Sequence, residues 1–351
     1  MKLKLVTFLL FISGNLFSQD INKEKLDDYL NYVEANNGGI ASLSIFKDGE
    51  EIYNRSFGQE KLPNVTFNKD TKYQIASVTK MITAILILQL VEDGKIKLDT
   101  KLSDFYPEIP NSQKITIKNL LEHSSGLGNF AIRNGAIWVM DKVTEKDIFD
   151  EIKKQGVTFE PNEKVAYSNS AYILLRMILE KKHKKEYHKI VEQKIIKPLN
   201  LRDFASVKSN PVNIFKSYKF TESWDEIKDI EYSNVVGVGD IASTTKDLNI
   251  IITSLFEYKI VKKETLDLMK PVIGKEDWGR GLALFEYGEN LFFGHSGDVL
   301  GCHSRLIYNP KDRISISYST NGERIPTNIF VENLVDIIYK KEFKLPEIKT
   351  L

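Results

Sequence analysis

The two ends of the chain mirror each other, and this limits the folds open to it. Leu26, Tyr29, Leu30 and Val33 recur at helical spacing and predict an amphipathic helix over Asn22–Ala35, ended by Gly38-Gly39. Ala41, Leu43 and Ile45 then alternate with Ser42 and Ser44, Lys47-Asp48-Gly49-Glu50 carries the favoured Asp-Gly turn pair, and Glu51–Phe57 returns as a second strand. The C-terminal end reverses the order. Cys302–Tyr308 reads as a strand, Asn309-Pro310-Lys311-Asp312 as a turn and Arg313–Thr320 as a strand. A helix marked by Val331, Leu334, Val335 and Ile338 follows. Helix–hairpin and hairpin–helix fit together most simply as one antiparallel sheet with both terminal helices packed on it.

Between the ends, strand signals are few. Val78–Gly94, Ile117–Glu122, Glu145–Lys154, Ser170–Lys182 and Glu186–Ile196 read as helices. The expected class is therefore mixed α/β of the α+β kind. Residues 19–61 and 234–351 would form the sheet domain and 62–233 an inserted, mainly helical domain, with a site at their interface.

Of the 351 residues, 49 are Lys or Arg and 48 Asp or Glu, a formal charge of +1, which argues against wholesale nucleic-acid binding. The single cysteine, Cys302, excludes an internal disulfide and any zinc site built on several thiolates. Lys181–Lys189 is lysine-rich and holds His183 and His188, but these are five apart and share no helix face, so a solvated surface is expected. No cofactor is called for.

At the N-terminus, Lys2 and Lys4 precede a short apolar run, Leu5–Ile12, and Ser18 is a small residue before Gln19. This predicts a secretory signal peptide over residues 1–18 and a periplasmic or secreted protein. The run is too short for a membrane anchor, which needs about 20 apolar residues.

Three short motifs carry chemistry. Ser-x-x-Lys occurs at Ser44/Lys47, Ser77/Lys80 and Ser243/Lys246. Ser44 lies in a strand, where residues three apart point to opposite faces. Ser243 opens what reads as a capped surface helix. Ser77 precedes the apolar helix Met81–Val91, so Ser77 and Lys80 share a helix face. A serine becomes nucleophilic when a base takes its proton, and burial at the foot of an apolar helix lowers a lysine's pKa enough for that task. Tyr-x-Asn occurs at Tyr29/Asn31, Tyr167/Asn169 and Tyr232/Asn234; the second lies in a loop between the turn Phe159–Glu163 and a helix, a favourable place for functional side chains. The third motif, Gly294-His295-Ser296-Gly297, is one residue short of a nucleophile elbow and reads as a strand edge, whose glycine would let a substrate backbone approach.

In the order Ser77-x-x-Lys80, Tyr167-x-Asn169, His295-x-Gly297, the chain resembles the serine β-lactamase and penicillin-binding protein superfamily. The closer likeness is to the class C β-lactamase-related branch with its D-alanyl-D-alanine carboxypeptidases and esterases. Further segments share it, among them Leu120–Leu127, Pro198-Leu199 and Gly239 through Leu248, so the likeness runs from about residue 38 to 320. The resemblance implies Ser77 as acylated nucleophile, Lys80 as its activator and Tyr167 as proton shuttle with a phenol pKa lowered by nearby positive charge. It implies that Asn169 holds the substrate amide, that His295, Ser296 and Gly297 line the cleft, and that the N–H groups of Ser77 and Asp298 form the oxyanion hole.

His295 stands where many β-lactamases have lysine, so attraction for a substrate carboxylate should be weak or pH-dependent, which favours a peptidase or esterase. Asn162 stands where the branch often has glycine; asparagine tolerates left-handed geometry, so the turn should survive. His123 is expected to be structural, His303 to be packing and Cys302 to be unreactive. The expected partner is a small-molecule or peptide substrate, a peptidoglycan stem peptide included. A non-catalytic penicillin- or peptidoglycan-binding or sensor module of the same fold is the alternative function.

Overall fold

In a computed structural model of the chain, residues 21–62, 70–274 and 277–348 are described. The expected signal peptide, residues 1–18, lies outside them. The main sheet has six antiparallel strands drawn from both ends. β1 (Gly39–Lys47) and β2 (Glu50–Phe57) come from the N-terminal end, and β10 (Ala283–Tyr287), β11 (Asn290–Val299), β12 (Cys302–Asn309) and β13 (Ile314–Glu323) from the C-terminal end. Their order is β10-β11-β12-β13-β1-β2. The closure is the β1–β13 pair, in which Ser44 lies opposite Ser317 and Ile45 opposite Ile316.

The alternation read from the sequence gives the sheet two unlike faces. Ala41, Leu43, Ile45, Ile316 and Tyr318 pack against α1 (Lys23–Ala35) and α10 (Thr327–Ile338). Phe330 stacks on Tyr318 at 4.2 Å and on Phe57 at 5.9 Å and meets Tyr29 at 5.3 Å. The serine face is not open to water: Ser44, Ser315, Ser317 and Ser319 are fully buried, with α8 (Thr245–Phe256) bonded to Ser44 and packed close to Ser315. Asn249 of α8 donates to the Ser44 carbonyl at 2.8 Å, and the Thr253 and Ser315 hydroxyls lie 3.3 Å apart. Small hydroxyl side chains let the helix sit close, and Asn249 Nδ2 reaches both the carbonyl and the hydroxyl of Ser44. This corrects the expectation of a surface helix after Ser243.

The inserted region is organised around α2 (Thr79–Glu92), which is buried on nearly every side. Around it lie α3 (Ile117–Leu121), α4 (Glu145–Gln155), α5 (Asn169–His183), α6 (Tyr187–Val191) and α7 (Lys197–Leu199), while α9 (Lys263–Met269) follows α8. A small sheet joins β3 (Tyr73–Gln74), β9 (Ile241–Ser243) and β6 (Phe204–Ser206). Two short hairpins complete the set: β4 (Ile132–Arg133) with β5 (Ala136–Ile137), and β7 (Tyr218–Phe220) with β8 (Trp224–Glu226). No helix among the described residues is long and apolar enough to cross a membrane.

Phe330 links both terminal helices to the sheet. Phe330→Ala is expected to cost about 3–5 kcal/mol, the usual range for emptying an aromatic core site, read as a lower urea midpoint with an unchanged slope.

Candidate active site

Ser77 lies in a single 3-10 turn, Ala76–Val78, that leads into α2. Ala76 holds φ at +45, a left-handed conformation that costs a non-glycine residue about 1–2 kcal/mol. Lys80, one turn on, is fully buried. Its Nζ lies 2.9 Å from Ser77 Oγ and donates to the Val238 carbonyl at 3.0 Å. Burial holds the Lys80 amine well below its ordinary pKa, and neither of these two partners is a carboxylate. On the other side the Tyr167 hydroxyl donates to Ser77 Oγ at 2.7 Å. One tyrosine, one serine and one lysine thus form a continuous line.

The structure reverses one expectation here. Burial pushes the Tyr167 phenol above its ordinary value in spite of the Ser77 hydrogen bond. Lys80, the nearby cation type, stands 4.9 Å from the ring, and burial disfavours its charged form. Tyr167 is held from behind by His123, whose ring is 4.5 Å from it. His123 has φ +57, and its Nδ1 accepts from the Ser168 N–H at 3.2 Å. Nε2 therefore carries the proton of the neutral ring, and burial keeps it neutral. The structural role expected for His123 is thus the positioning of Tyr167. Asn162 adopts φ +70, so the turn is kept, and its side chain accepts from Asn119 at 2.6 Å. Asn169, the first residue of α5, donates to Asn129 at 3.0 Å.

Strand β11 reaches the site from the sheet. β10 pairs with it only as far as Gly294, and beyond that point β11 meets the turn that carries Ser77. A Cβ on Gly297 would lie 2.1 Å from the Ile75 carbonyl and 3.0 Å from Ser77 N. The glycine therefore admits the protein's own turn, a closer demand than the substrate approach expected for it. His295 is also corrected. It is buried, not open to the cleft. Its Nδ1 lies 2.6 Å from the Ser296 carbonyl, which cannot donate, so Nδ1 carries the proton. Burial lowers its pKa to about 4, the Ser296 bond opposing only part of that shift. A histidine in this state offers no positive charge at neutral pH.

A cleft of about 170 Å³ opens beside Ser77, and Lys80, Asn169 and Asp298 share its lining. Tyr167, His295, Ser296 and Gly297 are not among its lining residues, although Tyr167 reaches Ser77 Oγ and Gly297 packs against the Ser77 turn. Asp298 pairs with His303 at 2.9 Å, and His303 Nε2 lies 3.7 Å from Glu323. Burial disfavours the charged imidazole, but the Asp298 bond and the Glu323 charge outweigh it and raise the His303 pKa. His303 is thus an ion-pair residue rather than packing. Cys302 is buried 3.2 Å from the Ser217 hydroxyl, and burial pushes its thiol up to about 12, as suits an unreactive cysteine.

The rival motifs are structural. Tyr29 is core, Asn31 accepts from Arg55 at 2.6 Å, and Asn234 clamps the Val139 and Asp141 carbonyls at 3.3 and 2.8 Å. His183 and His188 sit on separate helices, and among the described residues no group of three or more metal-ligand side chains gathers.

Trp278 was not foreseen. It joins the site's two halves, 5.7 Å from the Tyr167 ring and 5.4 Å from His295. Its signal was a bulky aromatic next to glycine in Trp278-Gly279-Arg280-Gly281. A Cβ on Gly281 would lie 2.3 Å from the Ala84 methyl of α2, and Arg280 pairs with Glu122, so the loop is pressed onto the helical region. The hairpin β4–β5 was also missed, although Asn134-Gly135, with φ of +51 and +77, is a strong turn pair.

A serine in hydrogen-bond reach of a buried lysine and a tyrosine, set between an antiparallel sheet and a helical insertion, defines a recognisable class. The Beta-lactamase family model matches residues 32–333. A penicillin-binding protein of Bacillus subtilis (strain 168) is 27% identical over 303 residues, covering 78% of this chain and 66% of its own length. Protein flp of Staphylococcus aureus (strain NCTC 8325 / PS 47) is 30% identical over 316 residues, covering 82% of this chain and 60% of its own length. The chain thus spans less than two thirds of the length of these curated relatives. Among solved structures, the D-amino acid amidase of Ochrobactrum anthropi SV3 complexed with L-phenylalanine is 25% identical with a TM-score of 0.79, covering 90% of this chain and 98% of that one. The octameric penicillin-binding protein homologue of Pyrococcus abyssi, at 24% identity, has a TM-score of 0.78 over 92% of this chain and 78% of that one. The chain belongs to the beta-lactamase family, within the serine β-lactamase and penicillin-binding protein superfamily.

The two strand histidines should move stability in opposite senses. Folded His295 stays neutral down to about pH 4, whereas an unfolded histidine protonates near pH 6.5. Between those values the unfolded chain binds more protons, so stability falls as pH falls, by about 3 kcal/mol at most. The His303 contribution is present in full below about pH 6.5 and is lost as pH rises through its raised value. Urea unfolding across pH 4–8, repeated with His295→Gln and His303→Gln, separates the two slopes.

Proposed function

We propose that the chain is an exported serine hydrolase that carries an acyl group on Ser77 and passes it to water, acting on D-amino-acid amides and peptides, β-lactams or small esters. The observation that carries this reading is the line from Tyr167 through Ser77 to a buried lysine whose two hydrogen-bond partners are uncharged. A neutral amine has a lone pair. With Tyr167 donating to Oγ, the Ser77 hydroxyl is free to donate to Nζ, while Lys80 donates to Val238. Lys80 then accepts the serine proton as Oγ bonds to the carbonyl carbon. The leaving group departs with a proton delivered by the Tyr167 hydroxyl, which Lys80 replenishes. Water attacks the acyl carbon, gives its proton to the same pair and releases the acid as Ser77 is restored. The raised Tyr167 pKa suits a donor that stays protonated at neutral pH. The N–H groups of Ser77 and Asp298 would hold the developing oxyanion. Similarity to penicillin-binding proteins and to a D-amino acid amidase supports the substrate range.

Fluorescent penicillin and a fluorophosphonate should each label Ser77, located by mass spectrometry, and nitrophenyl esters should be turned over continuously. Ser77→Ala is expected to abolish both signals. Tyr167→Phe should lower kcat/KM by roughly 10²–10⁴, the usual worth of a positioned proton donor. Lys80→Arg should be inactive although it keeps a cation, because a guanidinium cannot give up its proton. Activity should rise with pH through the depressed lysine pKa and level off well below pH 10.5. Labelling without turnover would instead fit a binding or sensor module, and no adduct with either probe would sink the hydrolase reading. Export, read from Lys2, Lys4 and Leu5–Ile12, predicts a secreted or periplasmic product whose mass starts near Gln19.

A further inference from the structure

The cleft beside Ser77 is aliphatic on most sides. Ile132 and Ile137 come from the β4–β5 hairpin, Val139 from the segment after it, Ile230 and Val235 from the chain before β9, and Val299 from the end of β11. Ile132 and Ile137 leave 41% and 42% of their surface exposed, a cost in water that covering by a ligand would remove. Among the described lining residues, Lys80 and Asp298 are the charged types. Lys80 is buried against Ser77 and Val238, and Asp298 shares its His303 partner with Glu323, so that side holds two carboxylates to one imidazole and does not attract an anion. Cations nearby are turned elsewhere: Arg133 lies 3.7 Å from Glu151 with its guanidinium over Trp138, and Lys228 pairs with Asp141 at 2.6 Å. Aliphatic cavities of about 150 Å³ accept benzene, so a cleft of about 170 Å³ has room for a branched aliphatic or phenyl group.

We propose that this cleft is the acyl-side specificity pocket, that it selects substrates whose acyl group carries an uncharged apolar side chain up to phenyl size and no carboxylate, and that Ile132 and Ile137 set this preference. The inference rests on the hydrolase reading above and narrows its substrate class. A peptide or β-lactam with an acidic group on the acyl side would be a poor substrate, and amides or esters of apolar acids good ones.

The test compares p-nitrophenyl acetate, butyrate, phenylacetate and hemisuccinate. Each added methylene should raise kcat/KM about fourfold, as burial of one CH₂ implies, so butyrate should exceed acetate about 15-fold. Hemisuccinate, with a butyrate-length chain ending in a carboxylate, should be slower than butyrate by at least about tenfold. In Ile132→Ala and Ile137→Ala the butyrate-to-acetate ratio should fall toward one. In Ile137→Lys the hemisuccinate-to-butyrate ratio should rise. Ile329→Ala, on the exposed side of α10, should keep the wild-type ratios. Equal rates for acetate and butyrate, or a preference for hemisuccinate, would overturn the pocket while leaving the hydrolase standing. No turnover of any ester, together with no fluorophosphonate adduct on Ser77, would overturn both.

Discussion

The close approach of β11 to the Ile75–Ser77 turn is the contact on which the rest of the site depends. It is the point where the sheet, made from the chain ends, touches the first turn of the central buried helix. Gly297 makes the approach sterically possible. With the strand edge seated there, Asp298 joins Ser77 in lining the cleft, and Trp278 spans from the sheet side to the Tyr167 ring.

A single electrostatic condition then organises the chemistry. Lys80 is buried against a hydroxyl and a carbonyl, neither of which compensates a positive charge. Desolvation of an ammonium costs several kcal/mol when no carboxylate offsets it, so the neutral amine is favoured. The same burial weakens the positive charge that was expected to acidify Tyr167. Burial thus opposes charge at the Lys80 amine and at the Tyr167 phenol alike.

Much of this was legible in the sequence. The alternation of Leu43 and Ile45 with Ser42 and Ser44, and its echo in β13, located the sheet, because period-two patterning reports one face directly. Ser77 and Lys80 were separable from two rival pairs because helical spacing puts them on one face. Side-chain environment was not legible. The burial of His295, the reversed shift of Tyr167 and the His303–Asp298 pair depend on neighbours distant in sequence or on another strand. The burial of α8 depends on Ser315 and Ser317, which look like solvent-facing residues until a helix covers them. Trp278 and the Asn134-Gly135 hairpin did leave local signals, but local signals do not say which cleft they face.

The pairing of β1 with β13 has a consequence for how the chain folds. Gly39 lies opposite Glu323, so the centre of the sheet joins segments separated by most of the chain. The apolar core around α2 draws chiefly on the inserted region and α8, and it can begin to condense while the last strands are still being made. The N-terminal hairpin must wait with one edge unpaired until β13 arrives. Such non-local closure is slow and leaves an adhesive edge open, so the interval before the final strands dock is when this chain is most exposed to misassembly.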